Sequence, residues 1–140
     1  MENDKTAELL THIGELLDED KEYPIDGTLL YAQLEQGCVG PYIFKNRGNH
    51  IVSRWPDLNH LGNALLDLWY LQQGPDRWAE IEYLIDKGRF HVVYVYPDEI
   101  DPEENRWDRH QKTMRRYFGD KPIIQPPWPP PDADVPEYEL

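Results

Sequence analysis

"RWAEIEYLIDKGRFHVVYVYP" (residues 77–97) decides the fold. Apolar and polar residues alternate on either side of Lys87-Gly88, the pattern of two strands joined by a tight turn. With that turn, Ile85 faces Phe90, Tyr83 faces Val92 and Ile81 faces Tyr94, giving a face apolar enough to be core. The opposite face carries Glu80, Glu82 and His91 with Val93 and Val95, so it is half polar. One covered face and one partly wet face describe an antiparallel sheet with helices on one side.

Working towards the N-terminus, "TLLYAQLEQGCVGPYIFKNRGNHIVSRW" (residues 28–55) reads as an antiparallel meander. A turn at Gln36-Gly37 pairs Leu34 with Val39 and Leu30 with Ile43, and a second at Arg47-Gly48 sets Val52 beside Ile43. Pro41 has no donor, so its strand is irregular there or its N–H side faces solvent. Three helices complete the pattern. Leu9, Leu10, Ile13, Leu16 and Leu17 predict one over residues 4–18, with Asn3 or Asp4 as cap. Leu61, Ala64, Leu65, Leu68 and Trp69 mark another within residues 57–73, stopped by Gly74-Pro75. The third has Asp101 as N-cap, Pro102 in its first position, Glu104 three residues after the cap, an apolar stripe of Trp107, Met114, Tyr117 and Phe118, and Gly119 as its stop. The expected fold is therefore α+β: an antiparallel meander sheet of about five strands, with N-terminal, middle and C-terminal helices packed mainly on one face.

At 140 residues the chain is one domain, spanning residues 1–124, followed by a proline-rich acidic extension over residues 125–140. Its net charge of −13 argues against nucleic acid and anionic membranes as partners, since both demand clustered Lys and Arg. The single Cys38 excludes an internal disulfide and fits a reducing compartment. The acidic N-terminus lacks the basic and apolar regions of a signal peptide, and no run is apolar enough to cross a bilayer, so the expected location is the cytoplasm.

"PDEIDPEENRWDRH" (residues 97–110) concentrates Asp98, Glu99, Asp101, Glu103 and Glu104. An EF-hand loop would need a central Gly that is missing here, and the five His residues are scattered without zinc-ligand spacing, so neither metal nor cofactor is expected. Nor does a nucleophile–base pair or phosphate loop emerge, and no catalytic residue is assigned. Glu80 and Glu82 on one strand face, or the 98–104 acids, would suit a metal-dependent hydrolase. Protein binding fits better: Tyr96, Asp98 and Glu99 sit where a strand runs into a loop, and with Glu80 and Glu82 they form an acidic face for a basic partner. Trp69 and Trp107, on helical stripes, read as core anchors. The alternative binding reading is a general adaptor or regulatory module whose partner is not a toxin.

The order of these pieces resembles the YezG-like family of bacterial immunity proteins. The resemblance rests on the "LYAQLE" strand, the middle helix, Trp78 opening a strand, the Gly88-Arg89-Phe90 turn, Tyr94 and Tyr96 followed by Asp98, and Tyr117-Phe118-Gly119 closing a helix. It covers residues 1–124 and leaves out the proline-rich extension. What it implies is a small cytoplasmic α+β protein that binds and neutralises a cognate bacterial toxin, often a nuclease delivered by contact or secretion. The family supplies no catalytic residues, and its toxin contacts vary among members, so none are carried over.

Overall fold

A computed structural model describes residues 2–35, 38–72 and 77–126. Three helices, α1 (Glu2–Leu17), α2 (His60–Leu71) and α3 (Arg106–Phe118), accompany six strands: β1 (Thr28–Glu35), β2 (Cys38–Asn46), β3 (Ile51–Arg54), β4 (Glu80–Asp86), β5 (Arg89–Val95) and β6 (Ile123–Ile124). The strands form one sheet in the order β5-β4-β1-β2-β3-β6. The fold is α+β and mostly antiparallel. The sixth strand is added by Ile123 and Ile124, which pair parallel to Ile51 and Val52. Their two-residue length is what a periodicity reading passes over.

Both long hairpins have the expected registers: Leu34 opposite Val39, Leu30 opposite Ile43, and Ile85, Tyr83 and Ile81 opposite Phe90, Val92 and Tyr94. Positive φ at Lys87 and Gly88 fits the two-residue turn that joins β4 to β5. The Gln36-Gly37 turn lies outside the described residues, as does the Gly74-Pro75 stop. Between β2 and β3 the expected register is corrected: Val52 pairs with Lys45, and Ile43 with Arg54. The connection is longer than two residues because the Asn46 side chain accepts from the Gly48 N–H at 3.0 Å while the Arg47 N–H reaches the His50 carbonyl at 2.9 Å. Pairing with β3 stops at Ile43, so Pro41 has a strand neighbour, β1, on one side only.

The helices divide between the two faces, α1 and α2 on one and α3 on the other. Leu30, Ala32 and Leu34 of β1, with Ile43, Ile81, Tyr83 and Ile85, pack against Ile13 and Leu17 of α1 and Leu61, Leu65 and Leu68 of α2. Alternate residues of the same strands, Leu29, Tyr31 and Phe44, join Ile51 in packing against Met114 and Phe118 of α3. Strand β1 is thus apolar and buried on both sides, where each fully buried Leu contributes on the order of 2 kcal/mol. The face expected to be partly wet is covered by α3 at Glu80 and Glu82, while His91 and Val93 of β5 on that face stay exposed.

Helix boundaries also shift. Asn3 and Asp4 lie inside α1 rather than capping it. Ahead of α2, Asp57 Oδ1 accepts from the backbone N–H of both Asn59 and His60 at 3.1 Å. Helix α3 starts later than expected, with Asn105 as its cap accepting from the Asp108 N–H at 2.8 Å. Asp101 instead closes a preceding turn through the Glu103 N–H at 2.9 Å. Gly119 ends α3 as expected, with φ of 61° and its N–H on the Arg115 carbonyl.

One close approach holds α1 to the sheet. The buried Tyr83 hydroxyl donates to the Leu10 carbonyl at 2.7 Å, and burial pushes its pKa up to about 12. A Cβ on Gly14 would lie 2.8 Å from that hydroxyl oxygen. Gly14→Ala should therefore destabilise the protein by about 1–3 kcal/mol in urea unfolding. In a Tyr83→Phe background the same change should cost markedly less, and equal costs in both backgrounds would refute the contact.

Candidate functional site

Glu80 and Glu82 of β4 point to the α3 face and are 3% and 1% exposed. Taking a carboxylate out of water costs several kcal/mol unless it is paired and hydrogen bonded. Helix α3 supplies those partners: Arg109 Nε lies 2.7 Å from Glu80, Arg116 Nη2 lies 2.7 Å from Glu82, and the Tyr117 hydroxyl donates to Glu82 at 2.6 Å. Burial and the Glu82 carboxylate both push the Tyr117 pKa up. The reading of Glu80 and Glu82 as partner-facing acids is corrected accordingly, because their oxygens are committed to the docking of α3. The same commitment takes them from a bound magnesium ion while α3 is in place.

Tyr96, Asp98 and Glu99 follow β5. Tyr96 is half-buried against the first core, while Asp98 and Glu99 are exposed on a single 3-10 turn, Pro97–Glu99. Glu99 accepts from the Tyr96 N–H at 3.2 Å. Glu104 pairs with Lys112. The five clustered acids thus have several separate local roles. Among the described residues, no group of three or more His, Cys, Asp or Glu is placed to hold a metal ion.

The sheet register puts this turn and the start of α3 at the same end of the molecule. Val95, Glu80, Gln33 and Gly40 form one row across β5, β4, β1 and β2. At that row the Gln33 amide donates to the Arg106 carbonyl at 3.0 Å, and beyond it Arg106 pairs with Glu35. Between α3 and the sheet lies a cavity of about 350 Å³ lined by Gln33, Glu35, Cys38, Tyr42, Trp107 and His110, among others.

Trp107 is the feature the sequence misplaced. It shares the α3 stripe, yet it is 63% exposed, because the stripe faces this cavity instead of the sheet at that point. Its ring tilts against His110 at 5.3 Å, and Tyr42, also exposed, stacks on His110 at 4.4 Å. Trp69, by contrast, is a core residue whose indole N–H donates to the Trp78 carbonyl at 2.7 Å. His110 is buried among Tyr31, Tyr42 and Phe44, and no group among the described residues bonds either ring nitrogen. A second cavity, about 660 Å³, is bordered by Lys45, Arg54, Asp20 and Tyr23. Burial lowers the Lys45 pKa, and its ammonium donates to the Thr28 hydroxyl at 2.7 Å. Although burial opposes it, the Arg54 guanidinium holds the Asp20 carboxyl below its usual range.

No protein-family model matches the chain, and no characterised protein matches it by sequence. No helix among the described residues is long and apolar enough to cross a membrane.

Burial depresses the His110 pKa below its ordinary 6.5, so the folded state resists a proton that the unfolded chain accepts. The stability tied to His110 is complete above the unfolded value and is lost as pH falls below it. His110→Phe should flatten the fall in stability between about pH 7 and pH 5, and raise stability at neutral pH by about 1 kcal/mol by removing two unpartnered nitrogens. Parallel wild-type and variant curves of unfolding free energy against pH would refute this reading.

Proposed function

We propose that this chain is a stoichiometric inhibitor of a basic protein, namely an immunity protein for a cognate bacterial toxin. The observation that carries the reading is Trp107, an exposed indole set beside exposed Tyr42 over a cavity and neighboured in sequence by Asp108 and Glu103. Buried aromatic anchors dominate protein interfaces, and an acidic rim accelerates encounter with a basic partner. Asp98 and Glu99, at the same end of the sheet, extend that rim. The net charge of −13 suits competition with a nucleic-acid phosphate backbone for the groove of a nuclease. The toxin as partner class comes from the resemblance of the β4–β5 hairpin and the end of α3 to YezG-like immunity proteins. Acting by occlusion, the protein needs no cofactor and works in the cytoplasm, where an escaped or delivered toxin would act.

Co-expression with the product of the neighbouring toxin gene tests this. The wild-type chain should rescue growth and co-purify with the toxin. Trp107→Ala should weaken binding by about 30-fold or more, as expected for a hot spot worth at least about 2 kcal/mol. Failure of the wild-type chain to rescue or bind would sink the toxin reading. Full binding by Trp107→Ala would move the contact surface elsewhere.

A further inference from the structure

The two edges of the sheet differ. Strand β6 ends one side with two residues. The other side is ended by β5, seven residues long, with the sequence RFHVVYV and Arg89 as its only formal charge. Natural sheets blunt exposed edges with Pro, Lys, bulges or short strands, and β5 has neither Pro nor Lys. Phe90 and Val93 are 42% and 46% exposed. Among the described residues, no strand pairs with its outer side.

The direction of its free groups follows from the hairpin. Asp86 and Arg89 close a two-residue turn, so that pair exchanges both backbone bonds. Alternation then turns His91 and Val93 towards β4, and leaves the N–H and C=O groups of Phe90, Val92 and Tyr94 directed outward.

We propose that β5 pairs antiparallel with β5 of a second copy of this chain, about a two-fold axis at Val92. This register matches outward groups with outward groups: Val92 faces Val92 of the second copy, and Phe90 faces Tyr94 in both directions. Phe90 and Tyr94 lie on the α1 and α2 face, where Phe90 stacks on Tyr83 and Tyr94 lies tilted against Trp78, so the new pairs extend existing aromatic packing. On the other face His91 meets Val93 and Arg89 meets Val95, so no like charges oppose one another along the strand. Lys87, at the hairpin tip of one copy, falls opposite Pro97 of the other, beside Asp98 and Glu99. Asp86 and Asp26 lie at the same tip, where Asp26 Oδ1 accepts from the Gly88 N–H at 3.2 Å, so Lys87 and Arg89 offset only part of the repulsion between two chains of charge −13. The Trp107 and Tyr42 surface, on the β1 and β2 side of the sheet, stays open, and only Asp98 and Glu99 are shared between the dimer contact and the acidic rim; the proposal does not depend on the toxin reading.

Light scattering after size exclusion, with amide hydrogen exchange, tests this on the full chain. The expected result is a concentration-dependent species of about twice 16.6 kDa, with the Phe90, Val92 and Tyr94 amides protected in proportion to the dimer. Val92→Pro removes an outward N–H and leaves the β4 ladder intact. Two symmetry-related bonds are lost, so the dissociation constant should rise about tenfold or more. Val93→Lys, an exposed change that leaves every backbone bond in place, should also weaken the dimer, and it serves if the proline variant does not fold. Rescue of toxin-bearing cells should survive Val93→Lys. A mass of 16.6 kDa at all concentrations overturns the proposal. So does a dimer insensitive to Val93→Lys whose three amides exchange freely, or protection that appears only when a basic partner protein is added.

Discussion

Two buried carboxylates set the terms for the rest of the molecule. Glu80 and Glu82 lie on a sheet face that could not be covered unless their charge were met, and α3 meets it with Arg109, Arg116 and Tyr117. The exchange is costly in both directions. Removing one partner of such a pair commonly costs about 3–5 kcal/mol, because the other remains buried and uncompensated. The pairing therefore fixes more than stability. It fixes the helix's position over β1 and β4, brings Met114 and Phe118 onto Leu29, Tyr31 and Phe44, and carries the first turn of α3 out over the cavity where Trp107 emerges.

The same constraint explains what the sequence made legible. Period-two alternation around Lys87-Gly88 gave the register of β4 and β5 residue for residue, since a two-residue turn there sets Phe90, Val92 and Tyr94 opposite Ile85, Tyr83 and Ile81. The apolar stripes of α1 and α2 announced themselves for a similar reason. Reading Glu80 and Glu82 as solvent-facing was reasonable from alternation alone. What it lacked was the long-range fact that arginines some thirty residues later lie on the facing side of a helix. The signal was present in part, as Arg109, Thr113, Arg116 and Tyr117 recur at helical spacing.

Trp107 and Tyr42 were obscured by the opposite problem. Each occupies a position that its element's period allows to be buried, and neither period records where the neighbouring element ends. Trp107 belongs to the ridge of Met114, but a cavity separates it from β1 and β2. Cap chemistry misled at the same place. Asp101-Pro102 followed by Glu104 satisfies a helix-start pattern, yet Asn105 takes the cap and Asp101 turns the chain before it. Of the acids that first drew attention, Asp98 and Glu99 remain as exposed contact candidates, Tyr96 is half-buried beside them, and Glu80 and Glu82 hold the fold together.

The arrangement leaves Glu80 and Glu82 neutralised in the interior and sets two exposed aromatic residues, Trp107 and Tyr42, at the cavity beside α3. All of that follows from the docking of α3, so the most direct measurement is a double-mutant cycle on Glu80 and Arg109 by equilibrium unfolding. Glu80→Ala, Arg109→Ala and the double variant should give a coupling energy of about 2–3 kcal/mol, with Arg109→Ala the costlier single change because it strands the buried carboxylate. Additivity within about 0.5 kcal/mol would contradict the account, since α3 would then be held without the pair that is argued to place it.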